Sequence, residues 1–141
     1  MDPYISFFVE HWMLSAAFAV ILLLLIGNEL RHRSFGVPGI SSQQLVDLLN
    51  HKDAVIIDIR SHERFDLGHI LGAINIPAEN FDAGLKTLNK YKNRPMVLVC
   101  SQGNDAPKKG KVLKGNGYTD LYHLAGGMDA WHAQGMPVTK R

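Results

Sequence analysis

Cysteine is nearly absent from this chain of 141 residues, in which Cys100 stands alone. One thiol excludes an intramolecular disulfide, a Cys-x-x-Cys redox pair and a thiolate zinc cluster, so any cysteine chemistry must run through a single sulfur. An excess of charge of either sign is missing too: 15 Lys and Arg stand against 13 Asp and Glu, a balance that leaves no footprint of a nucleic-acid binder. No internal repeat or low-complexity tract occurs. With 46% hydrophobic and 20% charged residues, the composition is not that of a disordered chain. The length allows one domain of ordinary size and not two.

Charge is also lacking from Trp12 to Ile26, where WMLSAAFAVILLLLI runs for fifteen residues behind a less apolar ISFFV. At 1.5 Å per residue the run spans roughly 22 Å against the ~30 Å of a hydrocarbon core, so a spanning helix must draw on Gly27 and part of the Phe7 to His11 stretch. A soluble core helix is the alternative, but a helix apolar on every face needs more surrounding protein than the remaining chain supplies. A cleaved signal peptide is disfavoured, because the start carries Asp2 and Glu10 and the run ends in IGNELRHR. The expectation is a single membrane anchor with its flanks over residues 1–33, touching lipid through residues 12–26. Arg31 and Arg33 follow the run and no Lys or Arg precedes it, which places the C-terminal part in the cytoplasm of a bacterial-type inner membrane.

Residues 34–40, SFGVPGI, read as a linker, and a domain over 41–141 follows. Ser41 or Ser42 can cap a helix SSQQLVDLLNH with an apolar stripe of Leu45, Val46, Leu48 and Leu49. The β-branched run Ala54 to Arg60 has the character of a central parallel strand. A helical turn at His62 to Leu67, an apolar segment Ala73 to Pro77 and a helix about Glu79 to Leu88 come next. Met96 to Cys100 forms a third strand. Pro107 suits the first position of a helix to about Lys114, stopped by Gly115 and Gly117, before a strand Leu121 to Leu124 and a helix Met128 to Gln134. Strands alternating with helices at this spacing define an α/β domain, with a mostly parallel central sheet flanked by helices.

Ligands of such sheets sit outside the carboxyl ends of the strands, and Cys100 falls at one. The segment CSQGNDAPKKGK leads from that strand end into a helix, and such a loop turns successive backbone N–H groups inward, where they stabilise a thiolate. A buried structural cysteine is the competing reading. A phosphatase of the Cys-x5-Arg type is excluded, because the position that needs arginine is Ala106.

Three motifs complete the picture. IIDIRSHERFDLGHILGAINIP, Ile56 to Pro77, carries Asp-x-Arg, Gly-His-Ile and Gly-Ala-x-Asn-Ile-Pro; Cys100 and Gly103 form a Cys-x-x-Gly loop after an apolar strand; and GYTDLYHLAGGMDAW, Gly117 to Trp131, ends in Gly-Gly-x-x-Ala-Trp. In this order and spacing, the chain from about Ile40 to Pro137 resembles the single-domain rhodaneses, which are α/β cysteine sulfurtransferases. The resemblance implies a persulfide cycle on Cys100, with a small sulfane-sulfur donor and a thiol or cyanide-like acceptor. It implies a cradle of backbone donors from Ser101, Gln102, Gly103, Asn104, Asp105 and Ala106. Asp58 and Arg60 are then expected to ion-pair and fix the loop of the first motif, His69 to be hydrogen-bonded scaffolding, and Gly126 and Gly127 to turn tightly into the last helix around a core Trp131. No cofactor, metal or nucleic acid is implied.

The cysteine loop departs from a thiosulfate-using one, which places basic side chains directly after the cysteine. Here Ser101 and Gln102 stand there, and Asp105 adds an acid, with Lys108, Lys109 and Lys111 following on the helix. A carboxylate turned toward the sulfur would repel an anionic donor, so in that geometry Asp105→Ser should raise the thiosulfate rate about tenfold. A non-catalytic rhodanese-like module that recognises a partner at the membrane is the alternative function.

Overall fold

The computed structural model describes residues 2–140, except for the side chains of residues 32–35. The chain divides into a unit that ends at Phe35 and one that starts at Gly36.

The first unit is two helices, α1 (Pro3–Glu10) and α2 (Trp12–Phe35). His11 leaves the helical region at φ −116°, ψ 39°. Phe7 to His11 therefore do not lengthen the apolar helix, contrary to the sequence expectation. The helix gains its length from the other end, running through Gly27 to Phe35. Trp12–Arg31 is a stretch of 20 residues long and apolar enough to cross a membrane, and at 1.5 Å per residue it reaches about 30 Å. Every residue from Trp12 to Ile26 is exposed except Ser15, which is partly covered. Arg33 bears on orientation through the sequence alone, since its side chain lies outside the described residues.

The second unit begins earlier than its sequence suggests. Gly39–Ile40, read as the end of a linker, is β1, an edge strand. Two residues are too few to show a period, and the strand exists because β5 (Leu121–Leu124) offers it a partner: Gly39 pairs with His123 and Ile40 with Leu124. The helix α3 (Ser42–Lys52) follows with a reciprocal cap, in which Ser41 Oγ accepts from Gln44 N–H and Gln44 Oε1 accepts from Ser41 N–H. Such a cap contributes about 1 kcal/mol.

Then come β2 (Val55–Asp58), α4 (His62–Leu67), β3 (Ile74–Asn75), α5 (Phe81–Leu88) behind a short 3-10 turn, and β4 (Met96–Val99). The chain continues with α6 (Ala106–Gly115), β5 and α7 (Gly127–Ala133). Pro107 sits at the second helical position of α6, one residue later than expected. The strand order is β1-β5-β4-β2-β3, and every pairing is parallel. All four residues of β2 and of β4 are buried, as strands covered on both faces must be. Cys100 packs on one face of the sheet with Ile57, Ile59, Phe81, Leu98 and Ala106, while Ile56, Val97, Val99, Met128 and Trp131 pack on the other.

Candidate active site

Parallel pairing brings the carboxyl ends of β2 and β4 side by side. Asp58 is in register with Val99, and Ile59 N–H donates to Val99 O at 2.9 Å, so Arg60 and Cys100 leave neighbouring strands together. Asp58 and Arg60 form a buried pair. Arg60 Nε donates to both carboxylate oxygens at 3.0 and 3.1 Å, and its Nη2 donates to Oδ2 at 2.7 Å and to the Gly68 carbonyl at 2.8 Å. That second acceptor ties the strand end to the far end of α4, the loop of the first motif. Asn75 closes the other side, donating from Nδ2 to the carbonyls of Asp58 and Arg60.

His69 is engaged by Phe65 and Thr139. Its Nδ1–H donates to Phe65 O at 2.7 Å, its ring stacks on Phe65 with centroids 3.7 Å apart, and its backbone pairs in both directions with Thr139. This is a scaffold that pins the chain's last residues to α4.

Cys100 is 4% exposed at the end of β4. Residues 101–105 curl round it into α6, and Gly103 N–H donates to Cys100 Sγ at 3.0 Å. Of the several inward donors expected of Ser101 to Ala106, this is the one bonded to the sulfur among the described residues. Gly103 holds φ +89°, and a Cβ there would come within 2.8 Å of Gly126 N. Across from it, Gly126 and Gly127 turn into α7 at φ +74° and +58°. The turn lets α7 hold the loop from behind: Met128 N–H donates to Cys100 O at 2.8 Å and Asp129 N–H to Ser101 O at 3.0 Å. A Cβ on Gly127 would overlap the Cys100 carbonyl oxygen. The two glycine motifs, far apart in sequence, therefore form one contact.

Gln102, Asn104 and Asp105 are exposed and Ala106 is buried. The Asp105 carboxylate is 70% exposed and lies 3.9 Å from Lys108 Nζ, so it points to solvent and not at the sulfur. Lys111 is likewise on the solvated face, whereas Lys109 Nζ sits 5.5 Å from the centre of the Phe81 ring. The basic group that the loop lacks in sequence comes from elsewhere: Arg64 Nη1 donates to Ser101 Oγ at 3.1 Å. The two residues are 37 positions apart, so no local pattern could mark that contact. A cavity of about 170 Å³ opens at the carboxyl ends of β2 and β3, lined in part by Ser61, His62, Glu79 and Asn80. Two more of its walls, Ile59 and Ala78, pack in or against the cluster that holds Cys100, which places it on the sulfur's face of the sheet.

A parallel sheet that ends in a buried cysteine, wrapped by a glycine-containing loop and backed by a Gly-Gly turn, defines an α/β domain built round one thiol. A rhodanese-like domain model matches residues 41–134, and the chain belongs to that family. The protein YibN of Escherichia coli K12 is similar over 141 residues, with 26% identity and 99% of each chain covered. The tRNA uridine(34) hydroxylase of Cronobacter sakazakii is 32% identical over 99 residues, which are 64% of this chain and 28% of that one. Among solved structures, a rhodanese-like domain protein from Staphylococcus aureus superposes with a TM-score of 0.65 at 29% identity, covering 74% of this chain and 99% of its own.

Proposed function

We propose that this chain is a membrane-tethered sulfurtransferase that carries sulfane sulfur on Cys100. The Gly103 N–H aimed at Sγ is the observation that carries this reading, because it is a donor built to hold negative charge where a thiolate and then a persulfide would sit. The Cys100 thiolate attacks the outer sulfur of a donor, the donor's bond to that sulfur breaks, and the leaving group departs with the electron pair. An acceptor thiol or cyanide then attacks the outer sulfur of the persulfide, and the Cys100 thiolate leaves. Burial of the cysteine restricts the donor to a small or slender one. Asp58 and Arg60 hold the adjoining strand end and do no chemistry. Incubation with a sulfane donor should add roughly 32 Da to the protein in mass spectrometry, the mass of one sulfur on one reactive thiol. If no donor adds that mass, the module that binds a partner without catalysis replaces the enzyme.

Asp105 does not set donor choice in this reading. Because its carboxylate is in solvent beside Lys108, Asp105→Ser should change the thiosulfate rate by less than about twofold, at low and at high salt. Stopped-flow rates with thiosulfate and with a neutral persulfide donor check this, and a tenfold gain with thiosulfate alone would put the carboxylate at the sulfur.

The tether supports an inner-membrane protein with its domain in the cytoplasm. Protease added to intact spheroplasts should leave the domain uncut, and lysis should expose it. Digestion without lysis reverses the orientation, and release of the full chain by carbonate removes the anchor.

A further inference from the structure

Every residue of α1 is exposed, and Tyr4, Ile5, Phe7, Phe8 and Val9 among them are large and apolar. They are segregated. At roughly 100° per residue, Ser6 and Glu10 stack along one side of the helix, while Tyr4, Ile5, Phe8 and Val9 cover roughly 140° of the opposite side. Phe7 sits at the margin, its ring edge-on to that of His11 with centroids 4.9 Å apart. Such a surface belongs against apolar matter, and α1 ends a single residue before the apolar stretch Trp12–Arg31 begins. Length decides where it can lie. Trp12–Arg31 alone reaches about 30 Å, the thickness of a hydrocarbon core, and α1 with His11 would add roughly 13 Å. The two cannot both stand upright in hydrocarbon, and sliding the helix inward would carry Glu10 into the core. His11 opens another course. It leaves helical backbone, yet its N–H still donates to Phe7 O and its carbonyl still accepts from Ser15 N–H, both at 3.0 Å. The chain therefore turns there without stranding the His11 backbone groups, in a medium where each unpaired one is costly.

We propose that α1 is an interfacial helix, lying in the membrane plane at the headgroup–acyl boundary where the span begins, with Tyr4, Ile5, Phe8 and Val9 toward the acyl chains and Ser6 and Glu10 toward water. This rests on the membrane tether proposed above. Tyr4 and Trp12 suit that depth, because each joins an apolar ring to a polar edge. The surface it fits is zwitterionic lipid: Asp2 and Glu10 are acidic, and neither Lys nor Arg precedes Arg31. Burial of apolar side chains, and not charge, holds α1 down, and α1 in turn fixes the level of the span in the bilayer.

The test uses the full chain in phosphatidylcholine vesicles, with Cys100→Ser as background so that a nitroxide label attaches at one introduced cysteine. Collision rates with oxygen, which dissolves among the acyl chains, and with a water-soluble nickel chelate read the depth of each position. Labels at Tyr4→Cys, Ile5→Cys, Phe8→Cys and Val9→Cys should lie about 5–10 Å into the boundary, shielded from nickel. Those at Ser6→Cys and Glu10→Cys should be open to it. A label at Leu23→Cys, inside the span, should lie deeper than all six and checks the tether separately. The α1 depths should not change between low and high salt, because no Lys or Arg joins the helix to the headgroups; depths that fall away at high salt would overturn the apolar basis of the contact. Leu23 deep with all six α1 positions equally open to nickel would overturn the interfacial helix and leave the tether standing. Depth that increases steadily from Tyr4 to Leu23 would overturn it too, since that is one continuous spanning helix. Nickel reaching Leu23 would overturn the tether, and this proposal with it.

Discussion

Cys100→Ser is expected to yield a folded protein that gains no sulfur from any donor. The two side chains are close in shape, and Gly103 N–H, 3.0 Å from Sγ, offers the new hydroxyl a partner in place of the thiol. Burying a hydroxyl among Ile57, Ile59 and Leu98 should therefore cost no more than about 1–2 kcal/mol. Reactivity has no such compensation. A serine hydroxyl is not ionised near neutral pH without an adjacent base, and nothing within hydrogen-bond reach of Sγ among the described residues is one, so sulfur loading should fall by at least about 10³-fold. Intact-mass spectrometry after incubation with donor reads the loading, and thermal unfolding reads the fold. A serine variant that still gains roughly 32 Da would move the chemistry away from Cys100. One that is unfolded would be replaced by Cys100→Ala, which leaves no hydroxyl to bury.

What the sequence disclosed follows the range of the interactions involved. Residues Ala54 to Arg60 and Met96 to Cys100 announce strands because burial on both faces demands an unbroken apolar run, and α3 announces its start because its cap is local. Asp58 and Arg60 are two residues apart, so their pairing was legible as well. β1 was not, since two residues acquire strand character only from β5, more than 80 positions later. Arg64 was missed for the same reason: its partner Ser101 is reached through the sheet and not along the chain. Asp105 shows the converse. Its place in the chain left open whether the carboxylate faces the sulfur, and the start of α6 turns it outward to Lys108.

The apolar N-terminal helix follows a similar logic. Its uncharged core was plain, yet its ends depend on where the helix can continue, and His11 stops it while Gly27 does not. A lone glycine in a helix costs only about 1 kcal/mol, and Gly27 has no neighbour within 4 Å that a side chain would meet. Flanking polar residues thus lengthened the helix toward Arg31, and the span reaches membrane thickness without the aromatic stretch before it.

Gly127→Ala should be the most damaging change of a residue that does no chemistry. Gly127 holds φ +58°, which charges alanine about 1 kcal/mol before any contact is counted. The new Cβ would overlap the Cys100 carbonyl oxygen and lie 2.8 Å from both Gly103 N and the Ser101 carbonyl carbon. Every one of those atoms is backbone of the cysteine loop, so none can rotate away as a flexible side chain would. Relief requires α7 to retreat, and that lengthens the bonds from Met128 N–H to Cys100 O and from Asp129 N–H to Ser101 O. Strain and lost bonds together should cost about 3 kcal/mol or more, a fall of roughly 15 °C in Tm for a domain of this size. Gly72→Ala supplies the control, because Gly72 holds φ +82° with nothing within 4 Å of its Cβ position. It should show the conformational cost alone, about 1 kcal/mol, and load sulfur normally. Measured well below its own Tm, Gly127→Ala should load sulfur at least about tenfold more slowly than Gly72→Ala, because the loop that aims Gly103 N–H at Sγ no longer has its support. Equal loading in the two variants would mean that the Gly-Gly turn stabilises the domain without shaping the site.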